Sequence, residues 1–392
     1  MRCRILMLSV AHGGHVLPWV GLATELARRG HQVSFTTTDQ FADAFNRAGL
    51  EVVRYASTSP PAIQNGTTMP PRLWRLDESS AIVDAAKARF SATRPDAILY
   101  DTSAHLAGRL LSQIWQLPAV ALSANFASGP LYSLDGDIAN RPIENNNIST
   151  LGDFLSRMGR IISAHAPDLP MHTALLAPWE ELTIVALPRE LQVAGDTFNE
   201  RWVFSGPHLD DRAFQGQWQP PGANPVLLVS VGTSNYKGQR AFLETCVSAF
   251  AGLDWHVVLA TGPQLDPAEL GSLPSNIEAH QYVPQLTILK SAKLFVSNGG
   301  MGGILEALSL GVPILAFPQL PEHHIAANRV ADLGLGRIGD PDIDASELRT
   351  AVLDLAADAP TALALAQMRE YIRKAGGATR ASEEIELHIA QG

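Results

Sequence analysis

The first half of the chain alternates between short apolar runs and stretches that carry apolar residues on one helical side. The run at residues 5–10 predicts a buried first strand, and the stretch at 16–29 predicts a helix that Gly30 ends. The next strand begins at His31, which completes a strand–helix–strand unit. Further strands are predicted at 51–55, 97–100 and 119–122, and further helices at 80–90 and 103–115. This order is typical of a parallel sheet covered by helices.

The second half begins the same alternation again after a break. Residues 216–225 contain Gln, Gly, Asn and three prolines, a composition typical of a linker. Strands are then predicted at 226–230, 256–260 and 313–317, and a helix at 240–250. Two separate parallel sheets predict an α/β protein of two Rossmann-like domains that face a central cleft. We expect domains at 1–210 and 225–374, a linker at 211–224, and a C-terminal helix at 375–392 that packs back on the first domain.

Composition and charge narrow the class of protein. A chain of 392 residues exceeds the size at which one hydrophobic core stops growing, which agrees with two domains. The net charge of −10 argues against a nucleic-acid partner, because binding a phosphate backbone needs a basic face. Cys3 and Cys246 have no metal or redox spacing, so they predict core thiols in a reducing compartment. The first apolar run is too short for a signal peptide and no stretch could span a bilayer, so we expect a cytoplasmic protein without membrane insertion.

The most distinctive local pattern is a glycine cluster between a predicted strand and a predicted helix. The strand ends near Ser297, four glycines lie within residues 299–303, and the helix carries Glu306 early. Glycines allow backbone N–H groups to approach a phosphate closely, and the N-terminal end of a helix adds partial positive charge. Many strand–helix turns need glycine only for packing, so this cluster alone indicates phosphate binding weakly.

A second candidate site lies in the first half. His15 follows the first strand, and Asp101 closes a later strand of the same predicted sheet. The carboxyl ends of parallel strands share one edge, so the two side chains can meet there. A carboxylate at Nδ1 would fix the imidazole tautomer and stabilise the cation formed when Nε2 takes a proton. Each residue alone is equally explained as a helix cap. His12 lies nearby, but without a close cysteine or carboxylate it does not predict a metal site.

Segments on both sides of the glycine cluster complete a larger motif. Tyr282-Val283-Pro284-Gln285 precedes the cluster, and Pro318-Gln319-Leu320-Pro321-Glu322-His323 follows it. With the turn Gly13-Gly14-His15-Val16-Leu17-Pro18, these segments resemble the nucleotide-sugar signature and catalytic turn of glycosyltransferase family 1, which holds macrolide and plant natural-product glucosyltransferases. The resemblance covers nearly the whole chain, and the spacing from Asn298 to Glu306 matches the signature without a gap.

The resemblance implies a GT-B fold and an inverting transferase of natural-product or antibiotic biosynthesis. A sugar would move from a UDP- or TDP-sugar to a hydroxyl of a small hydrophobic acceptor, with His15 as general base and Asp101 as its partner. No cofactor beyond the nucleotide-diphosphate sugar and no metal ion are implied. The residues that the resemblance implies for donor binding are Thr233, Ser234, Tyr282, Val283, Gln285, Asn298, Gly300, Met301, Gly302, Gly303, Glu306, Glu322 and His323.

Two positions depart from the family pattern. Asn298 stands where the family usually has His, and an amide can donate a hydrogen bond to a phosphate but cannot add positive charge. Glu322-His323 stands where the family has an acidic residue followed by Gln that together grip the sugar hydroxyls. The identity of the sugar is therefore left open.

The acceptor has no sequence code of its own. Trp74, Phe126 and Tyr132 fall in or beside segments 57–76 and 123–149, which are predicted to be irregular and to form binding walls. These rings are candidates for an apolar acceptor pocket or, equally, for the core. The partners we expect are a nucleotide sugar and this acceptor, in a monomer or homodimer.

Three other functions are alternatives to the transferase. A sugar-nucleotide epimerase would share the architecture and need no acceptor. A non-catalytic nucleotide-sugar-binding protein would keep the fold alone, although the retained His15 and Asp101 argue against it. An NAD-dependent oxidoreductase is disfavoured because no Gly-x-Gly-x-x-Gly follows the first strand.

Overall fold

The computed structural model of the chain describes residues 2–58, 71–139, 149–170, 180–209, 215–232 and 238–391. These residues form two compact units. The first takes its described residues from Met1–Ile63, Thr67–Asp210 and Ala375–Gly392, and the second takes them from Asp211–Lys374.

The described part of the first unit is built on a parallel sheet of seven strands in the order β3-β2-β1-β4-β5-β6-β7. The strands are β1 Arg4–Leu8, β2 Gln32–Thr37, β3 Glu51–Arg54, β4 Ala97–Asp101, β5 Ala119–Ser123, β6 Thr183–Val185 and β7 Trp202–Phe204. The helices of this unit are α1 Gly13–Val16, α2 Val20–Arg28, α3 Asp39–Arg47, α4 Pro71–Arg89, α5 His105–Trp115, α6 Leu134–Ala139, α7 Ser149–His165 and α14 Gly377–Gln391. The strands β4 and β5 are buried at every position, as expected for a sheet with helices on both faces.

The described part of the second unit is built on a parallel sheet of six strands in the order β10-β9-β8-β11-β12-β13. The strands are β8 Val226–Ser230, β9 His256–Ala260, β10 Ile277–His280, β11 Ala292–Ser297, β12 Ile314–Ala316 and β13 Gly336–Ile338. The helices are α8 Gln239–Phe250, α9 Gln285–Leu289, α10 Met301–Leu310, α11 Pro321–Asp332, α12 Ala345–Ala356 and α13 Ala359–Ala375. The predicted fold class, two parallel-sheet Rossmann-like domains, is confirmed.

Three predicted elements differ from the structure. The helix predicted at 16–29 is divided into α1, a 3₁₀ turn at Leu17–Trp19 and α2, because the ring of Pro18 and its missing N–H interrupt a continuous helix. The helix predicted at 80–90 already begins at Pro71, so part of the segment predicted to be irregular is helical. The second such segment contains α6. Both helices were missed because their segments are polar in composition. Helix propensity is a weak guide where tertiary packing determines whether a helix forms.

The C-terminal helix α14 belongs to the first unit, where ion pairs fix it beside α2 and β2. Glu386 lies 2.9 Å from the Arg29 guanidinium and 2.9 Å from Nε2 of His31. Hydrogen bonding to Arg29, followed by His31, outweighs partial burial and lowers the pKa of Glu386 to about 2. Among the described residues, the helices are too short or too polar for any of them to cross a membrane.

A buried histidine makes the stability of the first unit depend on pH. His208 accepts or donates a hydrogen bond at 2.8 Å with the Ser205 hydroxyl, and its ring centroid lies 5.5 Å from that of Trp19. Burial lowers the pKa of His208 to about 3. The unfolded chain would bind this proton near pH 6.5, so the folded state holds its full stability above that pH and loses it as the pH falls towards the folded pKa.

We therefore expect His208 to account for about 2 kcal/mol of lost unfolding free energy between about pH 7.5 and about pH 5. In His208→Gln that part of the pH dependence should disappear, whatever the substitution does to stability at neutral pH. Urea unfolding of both proteins at the two pH values measures the difference. His388→Gln, which changes an imidazole on α14, is the control and should keep the wild-type pH dependence. An unchanged pH dependence in His208→Gln would contradict the prediction.

Candidate active site

The strand order of the first sheet reverses between β1 and β4, and this reversal positions the candidate catalytic residues. The two strands are hydrogen-bonded neighbours, with Ile5 opposite Ala97 and Leu8 opposite Tyr100. Their following loops leave in opposite directions, which opens a crevice at the carboxyl edge of the sheet. His15 lies on the short helix α1 after β1, and Asp101 is the last residue of β4. The topology thus brings these two residues to one edge.

The carboxylate of Asp101 is fully buried and is surrounded by donors. Its Oδ1 accepts from the backbone N–H of Ser103 at 2.8 Å and from the Ser103 hydroxyl, and its Oδ2 accepts from the indole Nε1 of Trp19 at 2.8 Å. Asp101 therefore does cap the 3₁₀ turn at Thr102–Ala104, as its alternative interpretation predicted. It also meets His15, so capping and pairing are both present.

Nδ1 of His15 lies 2.9 Å from Oδ1 of Asp101. This separation is that of an ion pair. The Nδ1–H bond is not directed well enough at Oδ1, or at an acceptor of any other described residue, to form a well-aligned hydrogen bond. Burial raises the pKa of the Asp101 carboxyl, but the charge of His15, with help from Ser103, more than compensates and holds that pKa below its usual value. A buried anion therefore faces the imidazole at neutral pH.

The opposite ring nitrogen of His15 faces Arg75 on α4. Nη2 of Arg75 lies 3.5 Å from Nε2, and the imidazole side chain keeps 23% of its exposure. A guanidinium can only donate, so this contact favours a lone pair on Nε2 and the proton on Nδ1. That tautomer suits an imidazole that accepts a proton at Nε2.

Sequence reasoning missed the three side chains that support this pair: Trp19, Ser103 and Arg75. Ser103 had a signal, because a serine two residues after an aspartate often closes a local turn. Trp19 stands one helical turn after His15, but nothing in that spacing shows that its N–H reaches Asp101. Arg75 had no signal, since its segment was predicted to be irregular.

The second sheet reverses its order between β8 and β11, and Asn298 connects the two loops there. The Asn298 amide Nδ2 donates to the carbonyl of Val231 at 3.0 Å, and its Oδ1 accepts from the N–H of Gly300 at 3.2 Å. Gly232 has φ +74° and passes so close that a Cβ there would lie 2.4 Å from Nδ2. Asn298, which is predicted to contact a phosphate, thus holds the glycine loop against the loop that follows β8.

The first turn of α10 presents backbone N–H donors that have no acceptor among the described residues. Gly300 is the N-cap and offers no side chain to the N–H groups of Met301, Gly302 and Gly303, which have no intrahelical acceptor. A Cβ added to Gly302 would meet nothing within 4 Å. Backbone donors, helix polarity and open space are what an anion needs at a helix N-terminus.

Other predicted donor residues gather around this turn. Gln285 Nε2 donates to Oε2 of the buried Glu306 at 2.8 Å, and a Cβ on Gly303 would lie 3.4 Å from the same amide nitrogen. Tyr282 is 62% exposed, so its ring face is accessible, and the carbonyl of the adjacent Val283 accepts from the N–H of Gln285 at 2.8 Å.

Glu322 and His323 lie in the first turn of α11. The carbonyl oxygen of His323 would lie 3.0 Å from a Cβ on Gly299, and its Nε2 would lie 3.8 Å from a Cβ on Gly300. The structure thus brings the Glu322-His323 segment against the glycine loop. Burial lowers the pKa of His323, despite the nearby Glu322 carboxylate, so the ring is neutral at pH 7.

The remaining predicted residues are not gathered at either edge by the described contacts. Thr233 and Ser234 lie outside the described residues. Trp74, Phe126 and Tyr132 are all buried, and Trp74, which lies on α4, is part of the hydrophobic core. Their contact with an acceptor stays a prediction. Among the described residues, no three His, Cys, Asp or Glu side chains come together as a metal site.

In comparison with known proteins, the chain matches glycosyltransferases and a domain of antibiotic biosynthesis. The model of the erythromycin biosynthesis protein CIII-like C-terminal domain matches residues 244–378. The NDP-glycosyltransferase YjiC of Bacillus licheniformis is 33% identical over 98% of both chains. The oleandomycin glycosyltransferase of Streptomyces antibioticus is 33% identical over 98% of this chain and 90% of its own. The crystal structure of CalG4, the calicheamicin glycosyltransferase, superimposes with a TM-score of 0.82 at 35% identity, covering 100% of this chain and 99% of the other.

The Trp19–Asp101 hydrogen bond should contribute measurably to the free energy of unfolding. Trp19→Phe keeps an aromatic ring but leaves Oδ2 of a buried carboxylate without its donor. A hydrogen bond to a charged group contributes about 1.5–3 kcal/mol, so Trp19→Phe should lose about that much more unfolding free energy than a matched control. The control is Trp115→Phe, another buried tryptophan of the first unit, whose indole nitrogen donates to no described residue. Urea unfolding compares them, and equal losses would show that the indole bond adds nothing.

Proposed function

Because this chain belongs to glycosyltransferase family 1 and is a transferase of bacterial natural-product biosynthesis that uses a nucleotide-sugar donor, we propose that it works by inversion with His15 as general base. The donor we propose is a UDP- or TDP-sugar. The acceptor is a hydroxyl of a small hydrophobic natural product. The observation that carries this proposal is the contact of His15 Nδ1 with the buried Asp101, which leaves Nε2 as the proton acceptor.

The proposed step moves one proton and exchanges one bond. Nε2 of His15 takes the acceptor proton while the acceptor oxygen attacks the anomeric carbon from the face opposite the diphosphate. The bond from that carbon to the diphosphate oxygen breaks, its electron pair leaves with the diphosphate, and the configuration at the carbon inverts. The ionised Asp101 stabilises the imidazolium that forms, and Trp19 and Ser103 keep the carboxylate in place.

The second unit supplies the proposed donor site. The N–H groups at the start of α10 would hold the diphosphate and stabilise the charge that develops on it as it leaves, so the proposal needs no metal ion. Glu306, oriented by Gln285, would accept hydrogen bonds from the ribose hydroxyls. The exposed ring of Tyr282 would stack on the nucleobase, and Glu322 with His323 would contact the sugar.

The general base is tested by substitution. His15→Ala should lower kcat/KM for an aliphatic alcohol by about 100- to 10,000-fold, the usual contribution of a general base. Phenols whose pKa approaches the assay pH are already partly ionised and should lose much less. Calorimetry should show nearly unchanged UDP or TDP binding, since the proposed donor residues belong to the second unit. Steady-state kinetics with both acceptor types measures the difference between the loss of kcat/KM on alcohols and that on phenols.

His12→Ala is the matched control, because it removes a second imidazole whose ring centroid lies only 6.0 Å from that of His15. It should keep both activities near those of the wild type. Equal slowing of both acceptor types in His15→Ala, or loss of nucleotide binding, would exclude His15 as the base. A wild type that converts the donor without any acceptor would instead favour an epimerase.

The diphosphate site is tested at Gly302, where the protein itself has room for a side chain. Gly302→Val should therefore fold normally but obstruct the approach of the diphosphate to the amides of α10. Losing one charge-assisted hydrogen bond weakens binding by about 10- to 100-fold, and this is the drop we expect in UDP or TDP affinity by calorimetry. Gly152→Val, on α7 and equally open, controls for a β-branched residue in a helix. Full nucleotide affinity in Gly302→Val would place the phosphates elsewhere.

A further inference from the structure

Arg75 carries a charge that the described protein does not neutralise. Its Nη2 contacts only Nε2 of His15, at 3.5 Å, and its buried Nε has no hydrogen-bond partner among the described residues. Its guanidinium carbon lies 6.0 Å from the ring centroid of Trp74, which gives a weak cation–π contact at most. No carboxylate of the described residues lies within ion-pair distance of Arg75.

The carboxylates closest in sequence on α4 are engaged elsewhere. Asp77 pairs with Arg157 at 2.5 Å. Glu78 is fully buried and accepts from the Ser57 hydroxyl at 2.5 Å and from the N–H of Thr58 at 2.6 Å. The helix thus carries two acids, two and three positions after Arg75, yet directs both away from it. The guanidinium is left for a partner from outside the described protein.

The position of this charge conflicts with the reaction of a neutral acceptor. When Nε2 takes a proton, the imidazolium and the guanidinium become neighbouring cations that repel each other, while Asp101 faces the ring from the opposite side, at Nδ1. An anion that arrives with the substrate removes the conflict, because it attracts both cations. A guanidinium is well suited to that role, since its planar fork binds a carboxylate through two parallel hydrogen bonds.

We propose that Arg75 selects acceptors that carry an anionic group, such as a carboxylate, beside the hydroxyl that receives the sugar. The proposal rests on the proposed function of His15 and names its substrate class: a hydrophobic hydroxy acid. The acceptor hydroxyl takes the place of Nη2 at Nε2, and the guanidinium moves to the neighbouring anion. The diphosphate of the donor is the other source of an anion, and the experiment below separates the two.

The test compares two acceptors that differ only in charge, 3-hydroxybenzoate and its methyl ester. We expect wild type to prefer the acid. Arg75→Gln should lower kcat/KM for the acid, mainly through KM, by about 10- to 100-fold more than it changes the value for the ester. Arg75→Lys keeps the charge without the fork and should recover part of the loss on the acid. Arg160→Gln removes an exposed arginine of the same unit and should change neither value.

Binding measurements test the role of Arg75 even if a variant transfers no sugar. Calorimetry should show weaker 3-hydroxybenzoate binding in Arg75→Gln and unchanged UDP or TDP binding. Equal loss on acid and ester, no preference for the acid in wild type, or no binding of the acid would overturn the proposal, and weakened nucleotide binding would assign Arg75 to the donor instead. Failure of the proposed function appears separately, as His15→Ala enzyme that still transfers sugar to alcohols.

Discussion

In each sheet, two adjacent parallel strands are followed by loops that leave in opposite directions, and both candidate sites depend on this reversal. It occurs between β1 and β4 in the first sheet and between β8 and β11 in the second. A crevice at the carboxyl ends of the strands is the geometric result. His15 and Asp101 meet at the first reversal, and Asn298 bridges to Val231 at the second. Chemistry can be placed at these edges because the strands beneath them are buried and cannot move independently.

The two reversals are used in electrostatically opposite ways. The first holds a buried anion, Asp101, and a carboxylate without donors there would be strongly destabilising. Trp19 and Ser103 donate hydrogen bonds to it and hold it in place, and His15 faces it at ion-pair distance. At the second reversal, the N-terminus of α10 offers backbone N–H donors that have no intrahelical acceptor.

The sequence was informative wherever an element has its own local pattern. Continuous apolar runs predicted the strands other than β6, β7, β10 and β13. The edge rule for parallel sheets predicted that His15 and Asp101 can meet at one edge. Prediction from the sequence failed where tertiary packing, and not the local pattern, determines the structure. The start of α4 at Pro71 lies in polar composition, so Arg75 was assigned to an irregular segment rather than to a helix facing His15. The donor role of Trp19 could not be foreseen, because its indole reaches an acceptor, Asp101, that lies 82 positions away in the sequence.

Asn298 shows how a departure from a family pattern can be explained by geometry. Its amide uses both ends at once, donating to Val231 on one loop and accepting from Gly300 on the other, at 3.0 and 3.2 Å. A short amide carries donor and acceptor on a single carbon, so it can join two loops that pass as closely as Gly232 allows. The loop is then held in shape by a neutral group. In the proposed donor site, the partial positive charge comes from the amides of α10, which do not titrate. The diphosphate binding that we propose there is therefore independent of the protonation of the residue at 298.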